Sequence, residues 1–438
     1  MTNSLNGSRR HLHLTLDFVR RPDSVDAKGY RSKDHYERLN CEQPIGEVWK
    51  VVDFQLLKFR QEAVVLLGIL TPGHLVEDHP NRALSNEAFV MLPYKLKKSK
   101  FKEKASPTIG ITIIKPLSSI DSQLEDNLRS HFELDYPMFE MIFCIDKPKN
   151  EVVNLVQRLI TEYKSVDSKI VYDNVNDKET CVNPLVKNLK LGYSQAKHPY
   201  IWVSTSRVKT SSVCIKNMAR LISSSKNVGL VHQVPIINEN SKSGHPIERI
   251  CFGGSLARNY IGLNTIGICC FTGMSYMFRK ACLDQLGGIE IYGKYIAEDF
   301  FIGKDIKNSG YKVILADYPV KQSVEYSSLT SYKDRFVRWL RIRINIVPLV
   351  AIFLEPLQET FTLAMLTGLS MNAIFAYNIF YIFLAYSSFV LITDYVILNI
   401  IQDQAMVMNV GEYVKYWIIK EMMVYQIFFE ALCEPQKV

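Results

Sequence analysis

Two adjacent carboxylates, Glu298 and Asp299, sit in the otherwise apolar stretch Tyr295-Ile296-Ala297-Glu298-Asp299-Phe300-Phe301. Apolar neighbours disfavour ionisation and raise a carboxyl pKa, which suits a general base. The same pair would serve equally as a helix cap or a first-turn acid pair. Downstream runs Arg335-Phe336-Val337-Arg338-Trp339, followed by Arg341 and Arg343. A spacing of three places Arg335 and Arg338 on one helical face. Paired guanidinium groups can hold a diphosphate bidentately and stabilise it as a leaving group. Trp339 would pack against a ligand or a lipid interface. A basic helix flanking a membrane segment is the competing reading.

Elements able to position these groups alternate in type. Ile109–Ile114, Glu140–Ile145, Lys169–Tyr172 and Tyr200–Ser204 read as strands. Asp121–Phe132, through Leu124, Leu128 and Phe132, and Val152–Tyr163 read as helices. Strands alternating with helices of this length predict an α/β fold with a mostly parallel sheet. Ligands in such sheets sit outside the carboxyl ends of the strands, so the turns after Ile145 and Ser204 are the ones to watch.

The 438 residues are 47% apolar and 22% charged, which excludes a disordered composition. The formal charge is +8. Basic residues concentrate in two short stretches, Lys95 to Lys104 and Lys333 to Arg343, each ahead of a hydrophobic region. That placement fits an anionic membrane surface or a nucleotide diphosphate, and a nucleic-acid partner is not expected. Nine cysteines, irregularly spaced and without a CxxC pair, suggest reduced thiols.

No apolar signal-peptide core precedes residue 50. In Val51–Leu70 the charges Asp53, Lys58, Arg60 and Glu62 interrupt a candidate anchor. From Phe361 to Thr393 no residue is charged. A single span needs about 20 apolar residues, so this longer run predicts a tilted helix, a helix with a re-entrant piece, or a tight hairpin in the bilayer. Ile344–Leu354, broken by Pro348, would lie at the interface. Val414–Leu432 carries Lys420, Glu421 and Glu430 and would be interfacial or buried. Basic residues before the run, and Asp394, Asp403 and Glu412 after it, put the α/β part on the cytosolic side. The expected division is 1–104 of uncertain fold, 105–345 as the α/β domain, and 346–438 as membrane-associated helices.

The AED and RxxRW motifs, about 35 residues apart and just ahead of a membrane segment, resemble those of processive and lipid-acting glycosyltransferases with the GT-A fold. Lys115-Pro116-Leu117, Phe132 to Pro137, Val228 to His232, Thr272 to Ser275, Gly287-Gly288 and Arg343-Ile344-Asn345 extend the likeness to the ceramide glucosyltransferase family, from about Ile111 to Pro435. The resemblance implies transfer of glucose from UDP-glucose to the primary hydroxyl of ceramide, with inversion. The product would form at the cytosolic face of the Golgi membrane. It implies Asp299 as catalytic base. It places Glu298, Arg335, Arg338, Trp339 and His232 in the substrate and nucleotide site, and Cys270 near it; His232 and Cys270 would otherwise be ordinary core residues.

The donor half departs from that pattern. Where the family has an aspartate after the second strand, Lys147 stands, with Asp146 one position early as its expected substitute at the uridine. Where the family reads roughly IWICDSG, this chain has Ile201-Trp202-Val203-Ser204-Thr205-Ser206-Arg207. Thr205 replaces the acid that would help hold Mg²⁺ or Mn²⁺, and a hydroxyl is a poor substitute. A divalent metal is therefore doubtful, and Arg207 would meet the phosphates instead. Leu185 and Lys187 replace a lysine and an asparagine, while Asn183-Pro184 and Asn188-Leu189 are retained. Two readings stay open: an active transferase, or a non-catalytic relative that binds ceramide or an active partner.

Overall fold

In the computed structural model the chain divides between Glu42 and Gln43. The structure describes residues 108–145, 150–172, 181–238, 244–265, 267–323, 328–402 and 408–433, all in the second part. Expectations for Val51–Leu70, Lys95 to Lys104, Asp146 and Lys147 fall outside the described residues.

Seven strands form the main sheet. They are β1 (Ile111–Leu117), β2 (Phe139–Ile145), β3 (Asp167–Tyr172), β4 (Tyr200–Ser204), β6 (Val228–His232), β8 (Ser275–Arg279) and β9 (Lys312–Leu315). Their order is β3-β2-β1-β4-β8-β6-β9. Every pairing is parallel except those of β8, which runs antiparallel to both β4 and β6. The expected mostly parallel α/β sheet is thus what forms. Strand β1 runs past its expected end and includes Pro116. Proline lacks an N–H, so it is tolerated where one side of the strand is unpaired. Here β4 pairs only with Ile111 to Ile114, and Pro116 faces β2 alone.

Both sheet faces are covered, which is why the strands read as apolar runs rather than alternating patterns. On one face α1 (Leu124–Phe132), α2 (Asn150–Glu162) and α4 (Ser212–Ser223) pack Leu128, Val156 and Met218 against Ile111, Ile113, Phe143 and Trp202. On the other, α3 (Pro184–Ser194) and α8 (Glu298–Asn308) pack Leu189, Ile302 and Ile306 against Ile114, Ile142, Val203 and Tyr276. Each fully buried aliphatic side chain of this kind contributes about 2 kcal/mol from lost water contact. A second, three-stranded sheet joins β5 (Val208–Lys209), β10 (Val320–Gln322) and β7 (Pro235–Ile237). It continues directly from the carboxyl end of β4.

Between the sheets' later strands lie α5 (Pro246–Ile250), a π-helical turn (Cys251–Leu256), α6 (Ala257–Thr265) and α7 (Lys280–Gln285). Helix α9 (Leu329–Ile346) carries the arginines and leads to a π-helical turn at Val350–Leu354. The uncharged run resolves into two helices, α10 (Thr360–Phe375) and α11 (Ile379–Ile401). Ala376 reverses the chain in the left-handed region, at φ 57° and ψ 26°. Asn378 then caps α11 by accepting from the Phe380 N–H at 2.9 Å. Among the described residues α11 is the one helix long and apolar enough to cross a membrane, by length and composition. Helix α12 (Val410–Cys433) packs along α9 and α5. Fully buried Asp394 in α11 meets Arg258 at 3.2 Å, Lys420 at 3.5 Å and the Trp417 indole N–H at 3.1 Å. All eight cysteines among the described residues are free.

Candidate active site

The carboxyl edge of the parallel strands gathers most of the residues singled out in the sequence. Helix α8 begins at Glu298, so the carboxylate pair occupies its first turn. Asp299 accepts from the Gly273 N–H at 2.6 Å through one oxygen and from the Phe300 N–H at 2.8 Å through the other. Gly273 lies two residues before β8, where a side chain has no room: a Cβ there would stand 2.9 Å from Glu298 Oε1 and 3.4 Å from Asp299 Oδ2. Asp299 retains partial exposure, whereas Glu298 is buried.

The two acids differ in state. Burial, with the neighbouring Asp299 charge adding to it, pushes the Glu298 carboxyl up to about 8. Burial also raises Asp299, but the Phe300 and Gly273 N–H groups oppose that rise by bonding to the ionised form. At neutral pH Glu298 therefore keeps its proton, while the two N–H donors favour the ionised form of Asp299, the form a general base needs. Glu298 Oε2 accepts from the Asn183 side-chain amide at 2.6 Å.

Thr205 follows β4, and its N–H donates to the Met274 carbonyl at 3.0 Å. It thus lies beside the Gly273 turn that holds Asp299, at the position where the resemblance implied an acid. Below it is a buried polar cluster that sequence reasoning missed. Lys115 Nζ donates to the Thr205 carbonyl at 2.9 Å and to Ser204 Oγ at 3.3 Å, and lies 3.4 Å from His131 Nε2. Burial drives both Lys115 and His131 well below their usual values, and the Lys115 charge lowers His131 further. The lysine inside an apolar strand was the available signal.

Arg335 and Arg338 both belong to α9, as the spacing predicted. Arg335 lies 3.5 Å from Glu248 Oε1, donates to Gln322 Oε1 at 3.1 Å, and stacks over Phe252 and Trp339. Burial lowers it to about 10, helped by the charges of Arg207 and Arg338. Arg207 and Arg338 are exposed. The three guanidinium groups thus lie close enough to influence one another, and Gln322, which Arg335 contacts, pairs in the second sheet with Val208, three residues beyond Thr205. Other cations of the stretch are neutralised internally: Lys333 by Glu430 at 2.7 Å, and Arg343 by a two-point contact with Glu355 at 2.7 and 2.9 Å. A simple basic flank would leave them free, so that competing reading accounts for only part of the stretch.

His232 ends β6 and is fully buried. Its Nε2 lies 3.3 Å from Asn264 Oδ1, and Nδ1 has no hydrogen-bond partner. Burial lowers it to about 3, so it is neutral. Phe271 separates it from Tyr276, with ring centroids 5.2 and 5.5 Å away. The Tyr276 hydroxyl is likewise buried and without a partner. His232 is thus buried against Phe271 of the loop that, through Gly273, holds Asp299. Cys270 belongs to the same loop, its carbonyl accepting from Asn264 at 2.7 Å.

Among the described residues, the acids near Thr205 do not form a ready divalent-ion site. Glu298 and Asp299 are both engaged by N–H donors, Thr205 supplies no charge, and no cluster of three or more His, Cys, Asp or Glu side chains fit for a metal occurs among the described residues.

The profile of Glycosyl transferase family 21 matches residues 83–438, most of the chain. The protein belongs to that family. As a family 21 glycosyltransferase it is 31% identical to ceramide glucosyltransferase 3 of Caenorhabditis elegans, over 74% of this chain and 70% of that protein. It is 28% identical to ceramide glucosyltransferase 1 of the same organism, over 78% and 73%. The ceramide glucosyltransferase of Komagataella phaffii is 28% identical over 57% of this chain and 59% of that one. A mannosyltransferase from Pyrobaculum calidifontis, solved with GDP-Man and Mn²⁺, is similar at a TM-score of 0.42 and 13% identity, covering 86% of this chain and 98% of that one.

Proposed function

We propose that this glycosyltransferase moves glucose from UDP-glucose to the primary hydroxyl of ceramide, with inversion, giving glucosylceramide. Asp299, bonded to the Gly273 N–H beside a neutral Glu298, carries the reading. The acceptor O–H gives its proton to an Asp299 carboxylate oxygen. The oxygen attacks the anomeric carbon from the face opposite the nucleotide, and the bond to the diphosphate breaks. UDP leaves with the bonding electrons. Arg207, Arg335 and Arg338 meet its charge in place of a metal ion, each as a fixed cation that needs no proton bookkeeping. Trp339, stacked on Arg335, shapes the ligand side of that cluster. Asp146, beyond β2, is assigned to the uridine by its position after that strand.

Residues 105–345 act as the catalytic domain and 346–438 hold it to the membrane, with the catalytic side cytosolic and the Golgi as its site. Supporting this are the uncharged α10 and the first turns of α11, which present Met365, Leu369, Ile374, Phe380 and Tyr381 outward. Membranes containing the protein should convert labelled ceramide in a UDP-glucose-dependent way, with Asp299→Asn reducing turnover by about 10²–10⁴-fold while the variant stays in the membrane fraction. Retained turnover in that variant would mean that another group is the base. Ceramide binding without product in the unaltered protein would favour a non-catalytic relative.

A further inference from the structure

One asparagine ties together two segments that the chain order keeps far apart. Asn183 caps α3: its Oδ1 accepts from the Leu185 N–H at 2.8 Å and the Val186 N–H at 3.4 Å. Its Nδ2 points the other way, to the Tyr295 carbonyl at 2.8 Å, the Ile296 carbonyl at 3.3 Å and Glu298 Oε2 at 2.6 Å. Its backbone N–H donates to the Gly293 carbonyl at 2.9 Å. The side chain is buried. A cap needs only an acceptor, and Ser or Asp would provide one. Nothing in capping requires a donor aimed at the turn before the catalytic pair.

We propose that Asn183 is a positioning residue for the base: its amide fixes the Tyr295–Glu298 turn and turns Glu298 inward, leaving Asp299 as the carboxylate that faces the acceptor. The proposal rests on the assignment of Asp299 as base. The groups facing Glu298 are Asp299 from its own helix, Asn183 from the start of α3, and Tyr276 from β8. An ionised Glu298 is stabilised by its own backbone N–H and by the Asn183 N–H, the one side-chain donor among these groups; Asp299 opposes it, and so does the buried phenol once ionised. Losing the N–H therefore moves the Glu298 proton affinity upward while loosening the turn. A displacement on the scale of an ångström at reacting groups costs about 10²-fold in rate.

The test is the pH dependence of kcat in Asn183→Ser, which retains a cap acceptor and loses the donor. Ionising Glu298 sets a second negative charge beside Asp299 and the departing diphosphate, so the unaltered protein should lose rate above an inflection near pH 8. In Asn183→Ser, kcat should fall about 10- to 100-fold, KM for UDP-glucose should change less than about threefold, and the inflection should move to higher pH. In a Glu298→Gln background Asn183→Ser should move no inflection. A fall in kcat with the inflection unmoved, or unchanged kcat, would overturn the proposal. Should Asn183→Ser not fold, Asn183→Asp keeps both shape and cap. The same upward movement is expected from it, and an unchanged inflection would overturn the proposal equally. Asp299→Asn separates the two ideas. Activity in that variant defeats the base assignment; its inactivity, alongside an Asn183→Ser profile like the original, defeats only the role of Asn183.

Discussion

Replacing Glu298 by Gln should stabilise the fold as pH rises, and by an amount the structure sets. The ordinary glutamate value is 4.5 and the buried side chain stands at about 8. Such a displacement corresponds to about 5 kcal/mol of discrimination against the ionised form. The folded value is the raised one. The fold is therefore at full strength below pH 4.5 and loses stability as pH climbs toward 8, because the unfolded chain releases the proton first. At pH 7 the loss amounts to about 3 kcal/mol, which sharing with Asp299 reduces to roughly 1–3 kcal/mol. Gln keeps the shape and an acceptor for Asn183 but has no proton to release. Apparent melting temperature in detergent, measured from pH 5 to 9, should fall through that range for the unaltered protein relative to Glu298→Gln. The gap should open to a few degrees by pH 8. Parallel curves would refute the reasoning, for they would mean that Glu298 ionises in the fold as readily as in solution. A gap opening below pH 4.5 instead would reverse the sign and place a cation beside Glu298.

The arginine cluster yields three more predictions. Chelating divalent ions should change turnover of the unaltered protein less than about twofold, because fixed guanidinium charges do the work of an ion. Thr205→Asp should acquire stimulation by Mn²⁺ or Mg²⁺ and lose rate without it; turnover and metal response both unchanged would show that position 205 is not at the diphosphate. Arg338→Ala should lower kcat/KM for UDP-glucose by about 10- to 100-fold, the worth of one charge-assisted contact, while ceramide binding to the purified protein holds. Equal loss of lipid binding would instead assign Arg338 to the membrane surface.

Much of the fold was legible because both sheet faces are buried: continuous apolar runs such as Glu140–Ile145 and Tyr200–Ser204 leave little choice but strand. What was missed has identifiable causes. Pro116 marked a strand end by its missing N–H, yet that side of β1 has no partner to lose. The reversal at Ala376 carries no Gly or Pro, and its left-handed backbone is sustained by the packing of α10 on α11. At the site, spacing correctly placed Arg335 and Arg338 on one helix and the acids in a first turn. It could not separate Glu298 from Asp299. That distinction comes from Gly273 and Asn183, respectively 26 and 115 residues away in sequence. Likewise the stretch Lys333 to Arg343 reads as uniformly basic until Glu355 and Glu430, brought in by later helices, neutralise part of it.

The same long-range pairing bears on how the chain meets the bilayer. Asp394 ends the uncharged run, yet it is fully buried against Arg258 and Lys420, which belong to helices α6 and α12. The ion pair holds that level of α11 against the rest of the protein. From there to the reversal at Ala376 the first turns of α11 have about the length of α10, whose 16 residues rise about 24 Å. The hydrocarbon layer is about 30 Å thick. Two legs of that length, joined at residues 376–378, predict a hairpin that dips into the layer and returns without crossing it. In a Cys433→Ser background, Asn378→Cys should resist a membrane-impermeant maleimide from both sides of sealed vesicles. Asn399→Cys, an exposed position past Asp394, should react from the catalytic side. Reaction of the residue at position 378 from the opposite side alone would make α10 a crossing helix. It would also require Asp394, with its two cations, to lie within the hydrocarbon layer, several kcal/mol less favourable for each unscreened charge.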